Sequence, residues 1–203
     1  MLTLAINTAL NLNQIVLFDD KKILGEKIWT NDKRSNDIFL DNFKNLLKTT
    51  KKEKTEIKQI FIITGPGPYV SLRVGIVIAN AFAYGLNIPI FGLNIFDFIK
   101  ETNGFDLFDL LILNASKEEI FIFNKNKKEM EIIKFKDLIK NLNKFKNLKI
   151  VENLTDKQKE NIVRDADLRS LQYFPFSNLL LRLNFDKLTA SKIIEPEYFR
   201  EAV

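Results

Sequence analysis

Residues 65–75 read Gly-Pro-Gly-Pro-Tyr-Val-Ser-Leu-Arg-Val-Gly and carry the clearest structural signal in the chain. Just before them, residues 59–64 include three isoleucines and a phenylalanine, a composition typical of a buried strand. Glycine adopts backbone angles that cost other residues energy, whereas proline fixes its own φ and has no N–H donor. The stretch therefore predicts a strand, then a rigid turn, then a helix that Ser71 caps.

The helix that follows this turn is apolar around nearly its whole circumference. Only Arg73, Asn80 and Tyr84 are polar among residues 72–86, although a helix that covers one face of a sheet needs a polar side toward water. The pattern predicts two partners for this helix: its own sheet and a second surface. Complete coverage by the rest of the chain is the alternative.

A glycine-rich turn before a helix can also hold a phosphate, because free N–H groups and the helix dipole favour an anion there. Here Pro66 and Pro68 have no N–H groups to offer. No Lys-Ser/Thr pair follows, and the glycine spacing is not that of a dinucleotide-binding turn. We therefore expect a structural turn, with nucleotide binding as the alternative.

Composition narrows the possible chemistry. The 203 residues are 46% hydrophobic, which is enough for buried cores, and they include no cysteine and no histidine. Disulfides and thiolate metal sites are excluded, and catalysis would depend on carboxylates, lysines or hydroxyls. The net charge of +5 is compatible with a nucleic-acid partner. The lysines are scattered, however, and do not form one basic face.

Two features of the sequence bear on where in the cell the protein is found. Residues 74–96 are nearly free of charge and approach the ~20 residues that span a bilayer, but Asn80, Asn87 and Pro89 interrupt them. We expect a helix and a short strand there, and no membrane span. Residues 1–10 lack a basic segment and predict a strand in place of a signal peptide, so we expect a cytoplasmic protein.

The rest of the chain predicts an α/β protein with a mixed sheet and two similar subdomains, 1–103 and a smaller 104–203. Each half opens with three strands joined by short turns. The predicted strands are 2–7, 14–19, 23–29, 59–64, 88–91, 107–114, 119–123, 130–135 and 148–151. The predicted helices are 34–49, 71–86, 94–101, 137–145 and 177–185.

The turn and the first residues of its helix resemble the Gly-Pro-Gly-Ser-Phe-Thr-Gly-Leu-Arg-Ile/Val-Gly signature of the TsaB (YeaZ) family. The matching residues are Gly65, Pro66, Gly67, Leu72, Arg73, Val74 and Gly75. Residues 194–200 resemble the family's C-terminal Pro-x-Tyr-Leu-Arg segment. The resemblance implies a ribonuclease-H-like, actin-like ATPase (ASKHA) fold and a role in the biosynthesis of threonylcarbamoyladenosine on tRNA.

The resemblance also implies a role without catalysis. TsaB pairs with TsaD, which transfers the threonylcarbamoyl group to the adenosine beside the tRNA anticodon, and TsaE is a further member. Asn7 and Asn114 stand where the fold class carries aspartates, and an amide neither balances a divalent cation nor accepts a proton as a carboxylate does. We expect no catalytic, cofactor-binding or metal residues. The alternatives are an active actin-like kinase or ATPase, and a tRNA-binding module that acts alone.

The family pairs through two helices, which correspond here to 34–49 and 71–86. We expect a TsaD interface at or near Phe39, Phe43, Val74, Ile78 and Ala81, and the same surface could form a homodimer. Contact with tRNA would be indirect, through the complex. We expect Gly65, Pro66, Gly67, Arg73 and Gly75 to build the structural turn.

Overall fold

In a computed structural model of the chain, the described residues are 1–20, 22–30, 35–116, 118–126, 129–142, 150–165 and 171–198. They form two compact units, one made of Met1–Thr102 with Phe176–Val203 and the other of Asn103–Pro175. The predicted boundary near residue 103 is confirmed. The assignment of all of 104–203 to the second subdomain is wrong, because the last segment returns to the first unit.

Aromatic packing explains this return. Phe176 lies 5.6 Å from Phe98, and Phe185 lies 6.0 Å from Phe61, both measured between ring centroids. Burying such rings removes a large apolar area from water. The C-terminal segment therefore completes the core of the first unit.

The first unit contains one five-stranded sheet with the strand order β3-β2-β1-β4-β5. Its elements are β1 (Thr3–Asn7), β2 (Leu12–Phe18), β3 (Ile23–Thr30), α1 (Ser35–Thr50), β4 (Gln59–Ile63), α2 (Tyr69–Leu86), β5 (Ile90–Leu93), α3 (Ile95–Glu101) and α6 (Phe176–Leu180). The first three strands are antiparallel, whereas β1, β4 and β5 run parallel. The predicted opening meander and the strand–turn–helix unit are confirmed.

The strand register places α1 and α2 on one face of this sheet and α3 on the other. On β3, Trp29 contacts Phe39 of α1. Lys27 lies two residues before Trp29 on the same face, and it is in register with Ile15, Ile6 and Ile62 across the sheet. Phe61 points the opposite way, since side chains alternate along a strand, and it contacts Phe98 of α3. Helix α2 contacts α1, so it shares that helix's face.

Helix α2 begins two residues earlier than its predicted cap. The amide of Leu72 donates to the carbonyl of Pro68 at 2.9 Å, so Pro68 occupies the N-cap position and Ser71 lies inside the first turn. The Ser71 hydroxyl instead donates to the carbonyl of Thr8 at 3.0 Å. The cap prediction is therefore wrong, and Ser71 fixes the helix to the end of β1.

The second unit repeats the strand pattern of the first, with the order β10-β9-β6-β7-β8. Its elements are β6 (Leu110–Asn114), β7 (Glu119–Asn124), β8 (Met130–Lys134), α4 (Phe135–Leu142), β9 (Ile150–Asn153), α5 (Asp156–Asp165) and β10 (Leu171–Tyr173). Three antiparallel strands again precede two parallel ones. The predicted similarity of the two sheets is confirmed.

The helix predictions in the second half are only partly right. Helix α4 begins two residues before the predicted 137, and its predicted end at 145 lies outside the described residues. The leucine-rich segment 177–185 is helical only as far as Leu180. The side chain of Asn184 accepts from the amide of Asp186 and starts a separate short turn, which explains the interruption.

Candidate protein-docking surface

The turn before α2 is built for close backbone approach. Gly65 has φ +140°, a conformation that side chains rarely allow, and a Cβ there would collide with the carbonyl of Glu197. A Cβ on Gly75 would collide with the hydroxyl of Thr8. The turn therefore holds α2 against the end of β1, and its glycines and prolines lie where the sequence predicts a rigid turn.

Three neighbours cover part of the α2 circumference. The buried side faces the sheet, and Ala79 has 0% of its surface exposed. Toward α1, the Phe82 ring lies 4.7 Å from that of Phe43. On the third side, Asn80 exchanges two hydrogen bonds of 2.9 Å with the backbone of Ile194.

The remaining side of α2 is exposed and carries no charge. At about 100° per residue, seven residues fall within an arc of about 120°. They are Tyr84, Val77, Val70, Ala81, Val74, Gly85 and Ile78. Val77 is 65% exposed and Tyr84 is 90% exposed. Within the described part of the chain, complete coverage of the helix is therefore contradicted, and one face of it is left open. We call these seven residues the open face.

The structure separates the five predicted interface residues into two groups. Ala81 is exposed, and Val74 and Ile78 are half-buried on the open face. Phe39 and Phe43, which are predicted at or near the interface, are buried inside the unit and do not form its exposed surface. Their rings pack on those of Trp29 and Phe82 and form part of the core between α1, α2 and the sheet.

Sequence analysis missed other members of this surface. Leu40 of α1 is exposed and lies one turn before Phe43, next to the contact between α1 and α2. Val70, Val77 and Tyr84 of the open face were also missed. Their spacing along the helix could have found them, once the buried side of α2 was known.

A cation and two aromatic rings border the open face. The Nε of Arg73 donates to the hydroxyl of Tyr198 at 2.7 Å, and its guanidinium lies 4.0 Å from the Tyr69 ring centroid. The two tyrosine rings stack at 5.4 Å. The hydrogen bond to Tyr198 raises the pKa of Arg73, and the nearby Tyr69 acts in the same direction. The guanidinium is therefore held in place and stays charged.

The C-terminal segment binds back to the turn. The amide of Glu197 donates to the carbonyl of Thr64 at 2.8 Å. Its carboxylate accepts from the Thr64 hydroxyl at 2.8 Å and from the Asn94 side chain at 3.0 Å. The two segments that resemble the TsaB family, 65–75 and 194–200, are thus in contact through residues up to Tyr198. Arg200 lies outside the described residues.

The two asparagines at the strand ends have structural roles. Asn7 is fully buried and its Oδ1 accepts from the amide of Ala9 at 3.2 Å, so it caps the turn that follows β1. Asn114 accepts from Gln158 at 2.9 Å. A cavity of about 270 Å³ beside Asn114 is lined by residues without a carboxylate, namely Asn114, Ser116, Phe135, Thr155, Lys157, Gln158 and Asn161. In the described ranges no three acidic side chains are grouped to hold a metal ion.

Two solved structures share this architecture. YeaZ from Pseudomonas aeruginosa has a TM-score of 0.64 at 13% identity, over 98% of this chain and 99% of that one. An uncharacterized protein with similarity to peptidase YeaZ, from the same organism, has a TM-score of 0.66 at 13% identity, over 98% and 99% of the two chains. This chain therefore has the ribonuclease-H-like, actin-like ATPase fold, and the fold that the TsaB resemblance implies is confirmed.

A family model described as TsaD, tRNA N6-adenosine threonylcarbamoyltransferase, matches residues 22–184. The chain belongs to this family. The uncharacterized protein Rv3421c of Mycobacterium tuberculosis is 27% identical over 107 residues, which are 53% of this chain and 50% of that protein. The chain thus spans about half the length of the curated relatives that it matches.

One described helix, Tyr69–Leu86, is long and apolar enough to cross a membrane by length and composition alone. It connects the parallel strands β4 and β5 and packs on their sheet. This is the packing of a crossover helix between two parallel strands.

Proposed function

We propose that this protein is a TsaB-like, non-catalytic subunit that binds TsaD and supports threonylcarbamoyl transfer to the tRNA adenosine beside the anticodon. The observation that carries the proposal is the open face of α2. Exposed, contiguous apolar residues on a folded protein mark interaction sites. The resemblance of residues 65–75 to the TsaB family supplies the class of partner. Leu40 of α1 is a further exposed apolar residue, one turn from the Phe43 that contacts α2.

Residue chemistry supports a role outside catalysis. The matched family is named after a transferase, but this chain has no histidine or cysteine. The amides of Asn7 and Asn114 are engaged inside their own units by hydrogen bonds. Neither strand end offers the paired carboxylates that acid–base or hard-metal chemistry uses. We therefore assign the active site to TsaD.

The remaining partners follow from this assignment. TsaE would join the assembly as a further subunit, and tRNA would be contacted through the complex in the cytoplasm. In the absence of TsaD, the open face would pair with the same face of a second copy, since a two-fold dimer uses one self-complementary surface twice. Homodimer and heterodimer would then exclude each other.

Co-expression of this chain with TsaD from the same organism, followed by size-exclusion chromatography, tests the proposal. We expect a stable complex with the wild-type chain, and no ATP hydrolysis by the chain alone. Val77→Arg places a charge on the open face and should weaken pairing at least about tenfold, because a desolvated unpaired charge is costly at an interface.

Ile28→Arg is the matched control. Ile28 is also exposed, but it lies on the sheet face opposite α1 and α2, since it precedes Trp29 in β3. The Ile28→Arg variant should co-elute with TsaD as the wild type does. The proposal would be contradicted if the wild-type chain eluted separately from TsaD, or if Val77→Arg paired as well as the wild type. Magnesium-dependent ATP turnover by the chain alone would also contradict it.

A further inference from the structure

We infer that Arg73 is an anion-binding anchor that receives a carboxylate of the partner protein at the border of the open face. This inference rests on the proposed function and adds a specific polar contact to it. It assigns a binding role to a residue that sequence analysis places in the structural turn.

Two tyrosines engage only part of the guanidinium, because its N–H donors outnumber their hydroxyls. Arginine has five N–H donors, and the structure engages the one on Nε, which donates to the Tyr198 hydroxyl at 2.7 Å. The guanidinium carbon lies over the Tyr69 ring, 4.0 Å from its centroid, and the Tyr69 side chain also interacts with the group by a hydrogen bond. The outer edge, with both terminal nitrogens, is the edge that a carboxylate binds with two parallel hydrogen bonds.

Within the described ranges, no carboxylate forms an ion pair with Arg73. Glu197 precedes Tyr198 in the chain, but its carboxylate accepts hydrogen bonds from Thr64 and Asn94. The fold therefore holds a guanidinium in position with two tyrosines and pairs the nearby acid elsewhere.

The position of Arg73 indicates which kind of anion it receives. It is the one charged residue of α2, and it lies one turn from Val70 and one turn from Val77 on the open face. Protein interfaces combine an apolar centre with a polar rim, and arginine and tyrosine are enriched among their strongest contacts. A nucleic acid would instead require several basic residues along one surface.

Preorganisation adds to the case. Stacking and the Nε hydrogen bond restrict the side chain before the partner arrives, so less conformational entropy is lost on binding. Lysine would keep the charge at this position but lose the planar, two-point contact.

Isothermal titration of TsaD from the same organism into four variants tests the anchor. Arg73→Gln should weaken binding about tenfold or more, and Arg73→Lys should weaken it by a smaller factor. Tyr198→Phe removes only the hydroxyl that orients Nε and should weaken binding about threefold. Lys187→Gln is the charge-matched control, because Lys187 is an exposed lysine outside this surface, and it should bind within about twofold of the wild type.

Salt gives a second readout that a purely structural role would not produce. Wild-type affinity should fall between low and high salt, and the fall should be smaller for Arg73→Gln, because exposed ion pairs are screened. Melting temperatures of all four variants should match the wild type, since Arg73 and Tyr198 are both exposed.

Each outcome decides the question. If the wild type and Arg73→Gln bind TsaD with equal affinity, the anchor is overturned and the proposed function stays intact. No binding by the wild-type chain overturns both. Tight tRNA binding by the chain alone, lost in Arg73→Gln, overturns the carboxylate assignment because the anion would then be a phosphate.

Discussion

The two sides of α2 are alike in composition and opposite in environment. Ala79 lies against the sheet and is fully buried, whereas Ala81, two residues later, is exposed on the open face. Both sides are made mainly of small and aliphatic residues, so hydrophobicity alone does not distinguish them. The comparison shows that one side of this helix stabilises the fold, and that the other is available for a partner.

The largest expected effect comes from placing a charge at each alanine. Ala79→Arg should destabilise the protein by about 4 kcal/mol or more, because the charge would be buried without a partner. Ala81→Arg should change the free energy of unfolding by about 0.5 kcal/mol or less, as at other exposed sites. Urea unfolding measures both, and equal losses for the two variants would refute the division of the helix.

The contact between α1 and α2 offers the next test. Phe43→Ala should cost about 3–4 kcal/mol, as for other buried aromatic side chains, because Phe43 packs on Phe82. Leu40→Ala, one turn away and exposed, should cost less than about 1 kcal/mol. A loss below about 1 kcal/mol for Phe43→Ala would contradict the place of this ring in the core.

Two glycines of α2 give the smallest and most specific effects. Gly75→Ala should destabilise the protein by about 1–3 kcal/mol, because the new methyl group would collide with Thr8. A Cβ added at Gly85 would have no atom within 4 Å. Gly85→Ala should therefore stabilise the helix by about 0.5 kcal/mol, since alanine loses less backbone entropy than glycine on folding. Thermal unfolding should show opposite signs, and the same sign for both would contradict the packing of α2.

Much of the fold could be predicted because local residue patterns determine it. The turn at Gly65, the strands on either side of it and the three-stranded opening of each unit all depend on nearby residues. These features need no knowledge of distant parts of the chain.

The errors have long-range causes. Helical spacing shows that Phe39 and Phe43 are apolar on one side of α1, but it does not show whether that side meets core or partner. Phe176 joins the first unit through Phe98, which lies 78 residues earlier (176 − 98). The contact between Arg73 and Tyr198 spans 125 residues and has no local signal.

The most direct measurement is the affinity of Ala81→Arg for TsaD, compared with the wild type by titration calorimetry after both are shown to unfold at the same temperature. The account predicts that the variant stays folded and binds at least about tenfold more weakly, because the open face of α2 is the docking surface. A folded Ala81→Arg that binds TsaD as tightly as the wild type would contradict it.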